Sequence, residues 1–370
     1  MKTNKVNIVH VISTIEKGGA ENQLLVLAKL QVKRGHVVDV VYLKGKRTLE
    51  KDFIKSGIKV NKNLSNRKFI FQILIFRKYM FGKKNTIVHA HLPAAELLCR
   101  FSLKSNAKLI VSRHFGGQFS PKSNSAYSSF LGRLATRNVK TIIAISNTVK
   151  EVLIKNNEVF DDSKIKVVHY GFSTTDFLDS ATEKISVRAG DNLSCNLGTV
   201  ARLSAEKDLP TLLKAFKILL DKFPGLNLSI TGEGPEETNL KQLSYELGIS
   251  NHVIWNGKRE NICDIMKNLD VFIFPSKFEG FGMVLLEAMA VEIPIVASRN
   301  SAIAEVIGDS GAGLLFETSN ETELADAVAS ILTNRNNEYK IFQNERLNLF
   351  SAEKMENLIE KIYLRIQDIN

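Results

Sequence analysis

Glu279 and Glu287 stand eight residues apart in the run Phe274-Pro-Ser-Lys-Phe-Glu-Gly-Phe-Gly-Met-Val-Leu-Leu-Glu-Ala-Met-Ala. A helix starting near Gly282 leaves Glu279 in the loop before it. Glu287 then lies roughly 7.5 Å further along the axis, at about 1.5 Å per residue. An acid in that loop suits the hydroxyls of a sugar, and the amides of Gly280, Phe281 and Gly282 suit the sugar or its phosphate. Glu287 suits a ribose diol, as acids do in dinucleotide folds. It is flanked by Leu285, Leu286, Ala288 and Met289, where a carboxylate needs a reason. The plainer alternative is a surface helix residue. Arg202 and Lys207 sit five residues apart in the segment GTVARLSAEKDL, between a strand and a helix. Open α/β sheets bind ligands at such loops, and two cations there suit a diphosphate leaving group. An exposed basic loop is the alternative. Gly18-Gly19-Ala20-Glu21 also follows a strand and opens a helix, whose bare N–H groups and positive dipole end attract phosphate. A simple tight turn would read the same way.

The elements that position these residues alternate strand and helix. In the first half, strands are expected at Val6–Ile12, Val37–Leu43, Thr86–Ala90, Lys108–Ser112, Thr141–Ile145 and Ile165–His169. Helical stretches fall between them, among them Ala94–Leu103 and Asn147–Lys155. A second series runs through Asn196–Val200, Leu226–Ile230, Val253–Trp255, Val271–Phe274, Ile293–Ala297 and Gly313–Phe316. Such βαβ alternation implies parallel sheets covered on both faces. Pro235 followed by Glu236 and Glu237 reads as a helix start. Domains are expected at 1–172 and 193–350, joined by a polar linker at 173–192, with a final helix at 351–370.

In order along the chain, Gly18–Glu21, Arg202 with Lys207, Gly232-Glu-Gly-Pro, and Glu279 with Glu287 resemble the family 4 glycosyltransferases of the GT-B fold. The resemblance runs from about Val6 to Leu332 and is densest from Leu197 to Gly313. It implies an α/β chain of two Rossmann-like doubly wound domains facing a cleft, with the C-terminal helix crossing back to the N-domain. It implies that Gly19 offers its amide to the donor diphosphate, which Arg202 and Lys207 hold as the nucleotide departs. Glu279 would contact the donor sugar, Glu287 the ribose, and Lys258 or Arg259 the base. His114 would lie near the donor sugar and acceptor, with His91 and Arg113 on the acceptor side. Transfer would be retaining, on one sugar face, without a side-chain nucleophile. Two departures stand out. Tyr170-Gly-Phe-Ser replaces the family's frequent Asn-Gly-Val-Asp, and Ser298-Arg-Asn-Ser-Ala-Ile-Ala-Glu305 replaces a Gly-Gly loop, keeping its acid.

Composition narrows the setting. The 370 residues, 44% apolar and 24% charged, suit two soluble domains. No uncharged apolar run reaches about 18 residues, so no membrane-spanning helix is expected. The opening MKTNKVNIVHVIST lacks the marks of a signal peptide. Cys99, Cys195 and Cys263 form neither a disulfide framework nor a ligand cluster, which fits a cytoplasmic protein. No Asp-x-Asp ends a strand and no His/Cys group has ligand spacing, so no metal and no cofactor are expected.

The net charge of +11 is uneven: residues 1–180 hold 31 Lys and Arg against 12 Asp and Glu, a net +19, and the remainder is net −8. The segment RKFIFQILIFRKYMFGKK at 67–84 mixes aromatics and aliphatics with six cations, as a basic amphipathic helix on an anionic membrane would. Packing against the sheet is the alternative. The acceptor expected from this is a polyprenyl-diphosphate-linked saccharide, with the protein peripheral on the inner face of the membrane. A small soluble acceptor and a nucleotide-sugar 2-epimerase remain open. Nucleic acid is not expected, since no base-stacking motif accompanies the charge.

Overall fold

The computed structural model describes residues 5–121, 123–181, 195–334 and 336–368. The chain forms two compact units: Met1–Gly171 with Phe350–Asn370, and Phe172–Leu349.

Unit 1 is built on a sheet of seven parallel strands: β1 (Asn7–Ile12), β2 (Val37–Tyr42), β3 (Lys59–Asn61), β4 (Thr86–His91), β5 (Lys108–Arg113), β6 (Thr141–Ala144) and β7 (Ile165–Val167). Their order is β3-β2-β1-β4-β5-β6-β7, so the winding reverses between β1 and β4. Helices cover both faces, which is why the central strands are apolar almost without alternation. β4 is buried along its whole length. The helix Ala352–Asp368 packs on the helix Gly19–Lys33. Met355, Ile359, Tyr363 and Ile366 enter the core beside Ile8, Ile12, Leu24 and Tyr42. Polar contacts reinforce the docking. Arg34 pairs with Glu356, and His36 Nε2 lies 3.0 Å from Glu360 Oε2.

Unit 2 repeats the winding with β8 (Cys195–Val200), β9 (Leu226–Thr231), β10 (Val253–Gly257), β11 (Val271–Phe274), β12 (Ile295–Ser298) and β13 (Leu314–Phe316). The order is β10-β9-β8-β11-β12-β13, all parallel, with the reversal between β8 and β11. Its core joins Leu212, Leu213, Phe216 and Leu219 of the helix Leu209–Lys222 to Leu324, Ala325 and Val328 of the helix Glu321–Thr333. The carboxyl ends of β8, β9 and β10 are tied by backbone bonds. Ala201 N–H donates to Thr231 O (3.0 Å), Leu203 N–H to Glu233 O (3.0 Å), and Gly232 N–H to Gly257 O (2.9 Å). Such close approach leaves no room for a side chain at Gly232 or Gly234. A Cβ at Gly232, which sits at φ +140°, would lie 1.8 Å from Ala201 O.

Several sequence expectations shift. Part of the expected linker is a short helix, Thr174–Leu178, that packs on the helix Met283–Ala290, while residues 182–192 of it lie outside the described residues. Pro235 does not occupy the first helical turn: the helix is Glu237–Glu246, with Glu236 at its N-terminal boundary. Strand β3 and the helices Glu50–Lys55 and Tyr339–Leu349 carry too little pattern to be read from sequence.

The backbone contact at Gly232 gives a direct expectation. Gly232→Ala should destabilise unit 2 by about 2 kcal/mol or more, since neither a carbonyl nor a positive-φ backbone can give way cheaply. Trp255, the chain's one tryptophan, lies in β10 and reports this unfolding by fluorescence in a denaturant titration.

Candidate active site

In doubly wound sheets the crevice at the reversal point admits ligands, because the flanking helices turn away to opposite faces. In unit 2 the loops bordering this point hold the expected residues. Lys207, in the loop after β8, pairs through Nζ with Glu279 Oε1 in the loop after β11. Ser276 Oγ donates to the same oxygen at 3.2 Å. The Lys207 ammonium also lies 5.4 Å from the centre of the Phe274 ring. Beneath this pair, Lys277 N–H donates to Glu206 O at 2.8 Å, and Lys277 Nζ reaches Asp208 at 2.9 Å. Asp208 is buried at φ +48°, a conformation that aspartate tolerates better than most residues. It accepts hydrogen bonds from Thr211 Oγ1 (2.9 Å) and Ser319 Oγ (2.7 Å). Thus charges and hydroxyls join the loops after β8, β11 and β13.

Glu287 lies half-buried in the helix Met283–Ala290, which Gly282 opens at φ +87°. Burial pushes its carboxyl up from 4.5 to about 7. No cation or hydrogen-bond donor answers it among the described residues. Arg202 is exposed in the loop after β8. Lys258 and Arg259 are exposed after β10, and Lys258 makes a loose pair with Glu233 at 3.7 Å that contributes little. Ser276 and Asn300 escaped sequence analysis. Ser298 Oγ and Asn300 Nδ2 each donate to Ser276 O at 2.5 Å, so the loop that departs from Gly-Gly supports the Glu279 loop instead.

In unit 1, Gly19 is the first residue of its helix and exposed, and a Cβ there would meet nothing within 4 Å. Its own surroundings therefore do not demand glycine. Gly18 differs, since a Cβ there would press on the Glu21 carboxylate at 2.6 Å. The expected acceptor residues are placed otherwise than the sequence suggests. Arg113 is buried, with Nε 2.8 Å from Glu96 and Nη1 3.3 Å from Glu158, and stacks on Phe119. Its guanidinium neutralises two core carboxylates and is not offered to a ligand. His91 is 1% exposed and both ring nitrogens are engaged, by His10 (2.9 Å) and His114 (3.0 Å). His114, at the end of β5, is partly exposed, with Nδ1 2.6 Å from the Tyr170 hydroxyl. Burial holds His10 down at about 4 and His114 at about 3, and lowers His89 and His91 as well, so this cluster is neutral.

His10, His89 and His91 come close enough together to suggest a metal centre. However, all six ring nitrogens already have hydrogen-bond partners. The His89 and His91 rings also stack 4.2 Å apart. A cavity of about 280 Å³ opens elsewhere, at the amino ends of β1, β2 and β4 beside Lys83 and Lys84. It is remote from the strand ends that carry this chemistry, so size alone does not mark the site.

Two reversal points, with paired charge at one of them, define a doubly wound α/β protein of two Rossmann-like units. Comparison with known proteins makes this specific. Residues 17–176 match the Glycosyltransferase Family 4 model and residues 194–347 match Glycosyl transferases group 1. The chain belongs to the family 4 glycosyltransferases and has their GT-B fold. It is 25% identical over 358 residues to an uncharacterized glycosyltransferase of Methanocaldococcus jannaschii, covering 90% of each chain. It is 26% identical over 233 residues to a capsular polysaccharide biosynthesis glycosyltransferase of Staphylococcus aureus, covering 60% of each. Among solved structures, Anabaena HepE in complex with UDP and glucose superposes with a TM-score of 0.78 at 19% identity, covering 96% of this chain and 99% of that one.

The environment of Glu287 predicts a pH effect on stability. Its carboxyl binds a proton more tightly in the folded chain than in the unfolded one, so its contribution is full below pH 4.5 and is lost as pH rises through about 7. Glu287→Gln should therefore gain thermal stability relative to the native protein between these limits. Melting temperatures of both proteins from pH 4.5 to pH 8 check this: parallel curves would mean that Glu287 is not desolvated.

Proposed function

We propose that this glycosyltransferase moves a hexose or N-acetylhexosamine from a UDP-sugar to a polyprenyl-diphosphate-linked saccharide, with retention, during assembly of a surface polysaccharide. The observation that carries the reading is the Lys207–Glu279 pair at the reversal point of unit 2, with Glu287 unanswered on the helix behind it. In this reading the ribose hydroxyls donate to Glu287, and the amides of Gly280, Phe281 and Gly282 take the sugar or its phosphate. Lys258 or Arg259 reaches the base. Lys207 and Arg202 meet the negative charge that grows on the diphosphate as the sugar–oxygen bond breaks. Fixed cations act there without reorganisation at the moment of reaction. They leave no step that requires a metal. The acceptor hydroxyl enters on the face the diphosphate leaves, and its proton passes to a leaving-group oxygen. UDP and glucose in HepE and the capsular role of the S. aureus relative support the choice of donor and pathway.

The lipid acceptor is favoured by the helix Phe69–Met80. Gln72, Ile73 and Phe76 bury it against unit 1, and Gln72 Nε2 donates to Leu43 O and Leu64 O at 2.9 and 3.0 Å. The outer side exposes Phe69, Ile70, Phe71 and Leu74, and Phe81 just beyond is 89% exposed. Arg77 and Lys78 flank them. Exposed aromatics edged by cations match an anionic bilayer surface better than water or nucleic acid. No helix among the described residues is long and apolar enough to cross a membrane, so this reading makes the protein peripheral on the cytoplasmic face.

Purified protein incubated with UDP- and GDP-sugars and a polyprenyl-diphosphate saccharide, followed by mass spectrometry and NMR of the new linkage, tests the proposal. One added sugar with retained configuration is expected. Epimerised donor would mean an epimerase, and transfer to small hydroxy acids alone would mean a soluble acceptor. Lys207→Ala should lower kcat by roughly 10²- to 10³-fold, the range for removing one charge-stabilising group. Phe71→Glu with Leu74→Glu should abolish co-sedimentation with phosphatidylglycerol vesicles while the fold survives. Retained binding would place the membrane contact elsewhere.

A further inference from the structure

The buried histidines of unit 1 form part of one continuous hydrogen-bond chain. Tyr170 OH lies 2.6 Å from His114 Nδ1, and His114 Nε2 lies 3.0 Å from His91 Nδ1. His91 Nε2 lies 2.9 Å from His10 Nδ1, and His10 Nε2 lies 2.8 Å from Gln31 Oε1. Beyond Gln31 its amide nitrogen reaches Tyr363 OH at 3.3 Å, that hydroxyl is 2.7 Å from His89 Nδ1, and His89 Nε2 is 2.7 Å from Ser112 Oγ.

The chemistry of each link fixes its direction. A carbonyl oxygen only accepts, so His10 carries its proton on Nε2. A neutral imidazole has one N–H, so His10 Nδ1 must accept, and His91 supplies the proton from Nε2. The same step repeats at His114, whose Nδ1 is then bare and accepts from Tyr170. On the other side, Tyr363 accepts from Gln31 and donates to His89, which donates to Ser112. Every ring nitrogen is satisfied, as buried polar groups require. Rotating the Gln31 amide by half a turn would exchange its donor and acceptor and reverse every bond in the chain. Gln31, 1% exposed in the middle of the helix Gly19–Lys33, therefore holds the polarity of the whole.

We propose that Gln31 is a positioning residue that sets the tautomer of His114 through His10 and His91, so that His114 presents a bare Nδ1 and selects a partner that donates a hydroxyl proton. In this structure that partner is Tyr170. During transfer it is a sugar hydroxyl, a consequence that rests on the transferase reading above.

Nitrogen–proton correlation NMR of the full-length protein tests the assignment, with His114 identified by His114→Gln. His114 is expected as the Nε2–H tautomer in the native protein. Gln31→Met removes the acceptor, and because a buried N–H without a partner is costly, the Nδ1–H form should appear at His114, which Gln31 does not touch. Tyr170→Phe should leave His10 and His91 as Nε2–H, because the anchor lies at the other end. An Nδ1–H signal at His114 in the native protein, or an unchanged tautomer in Gln31→Met, would overturn the proposal. If Gln31→Met fails to fold, the native spectrum and Tyr170→Phe still decide it. For transfer, Gln31→Met should lower kcat/KM for the acceptor at least fivefold with little change in the donor KM. A native rate despite a switched tautomer would refute the positioning role. Absence of transfer by the native protein would count against the transferase reading and leave the tautomer result standing.

Discussion

The contact between Lys207 and Glu279 spans the gap that the doubly wound topology opens between β8 and β11. At that gap one backbone bond, Lys277 N–H to Glu206 O at 2.8 Å, joins the two loops. Lys207–Glu279 and Lys277–Asp208 reinforce the connection, while Ser298 and Asn300 brace it from β12 through Ser276 O. The Lys207 ammonium thus already has an anion beside it. On the proposed reading, a diphosphate entering here competes for Lys207 and frees Glu279 for hydroxyls. Arg202 stands exposed beside it with no carboxylate at ion-pair distance among the described residues.

Unit 1 solves the same topological problem with neutral groups. Its reversal lies between β1 and β4, and the pair that spans it is His10 with His91. The imidazoles are buried and uncharged, so cohesion comes from hydrogen bonds in a chain, each stronger for the low dielectric and each costly to leave unmade. A second buried network, Arg113 with Glu96 and Glu158, holds the loop after β5, because Glu158 also accepts from Phe119 N–H at 2.7 Å and Ser128 Oγ at 3.0 Å. Unit 2 carries its charge at the rim, and unit 1 carries polar groups inside.

What was legible in the sequence follows from range. The strands of both sheets show as apolar runs, since parallel strands buried on both faces need no alternation, and the loop residues Arg202, Lys207 and Glu279 are marked by following such runs. Glu287 was legible because a carboxylate among Leu285, Leu286, Ala288 and Met289 contradicts its surroundings. Arg113 was misread because its partners are 17 and 45 residues away and only the fold brings them under it. His89 and His91 announce a shared strand face by their spacing, but nothing local says that the face meets His10 and Tyr363. The helix Phe69–Met80 falls between the two readings open for it. Ile73 and Phe76 pack inward as in any sheet-covering helix, and Phe71 and Leu74 face outward.

The central claim is that unit 2 holds the nucleotide at its reversal point. Hydrogen–deuterium exchange of the native protein with and without UDP tests it most directly. The account predicts slowed exchange in peptides covering 201–208, 257–261 and 279–287, the loops and helix start that carry Arg202, Lys207, Lys258, Glu279 and Glu287. Unchanged exchange in these segments at saturating UDP, or protection confined to unit 1, would contradict it.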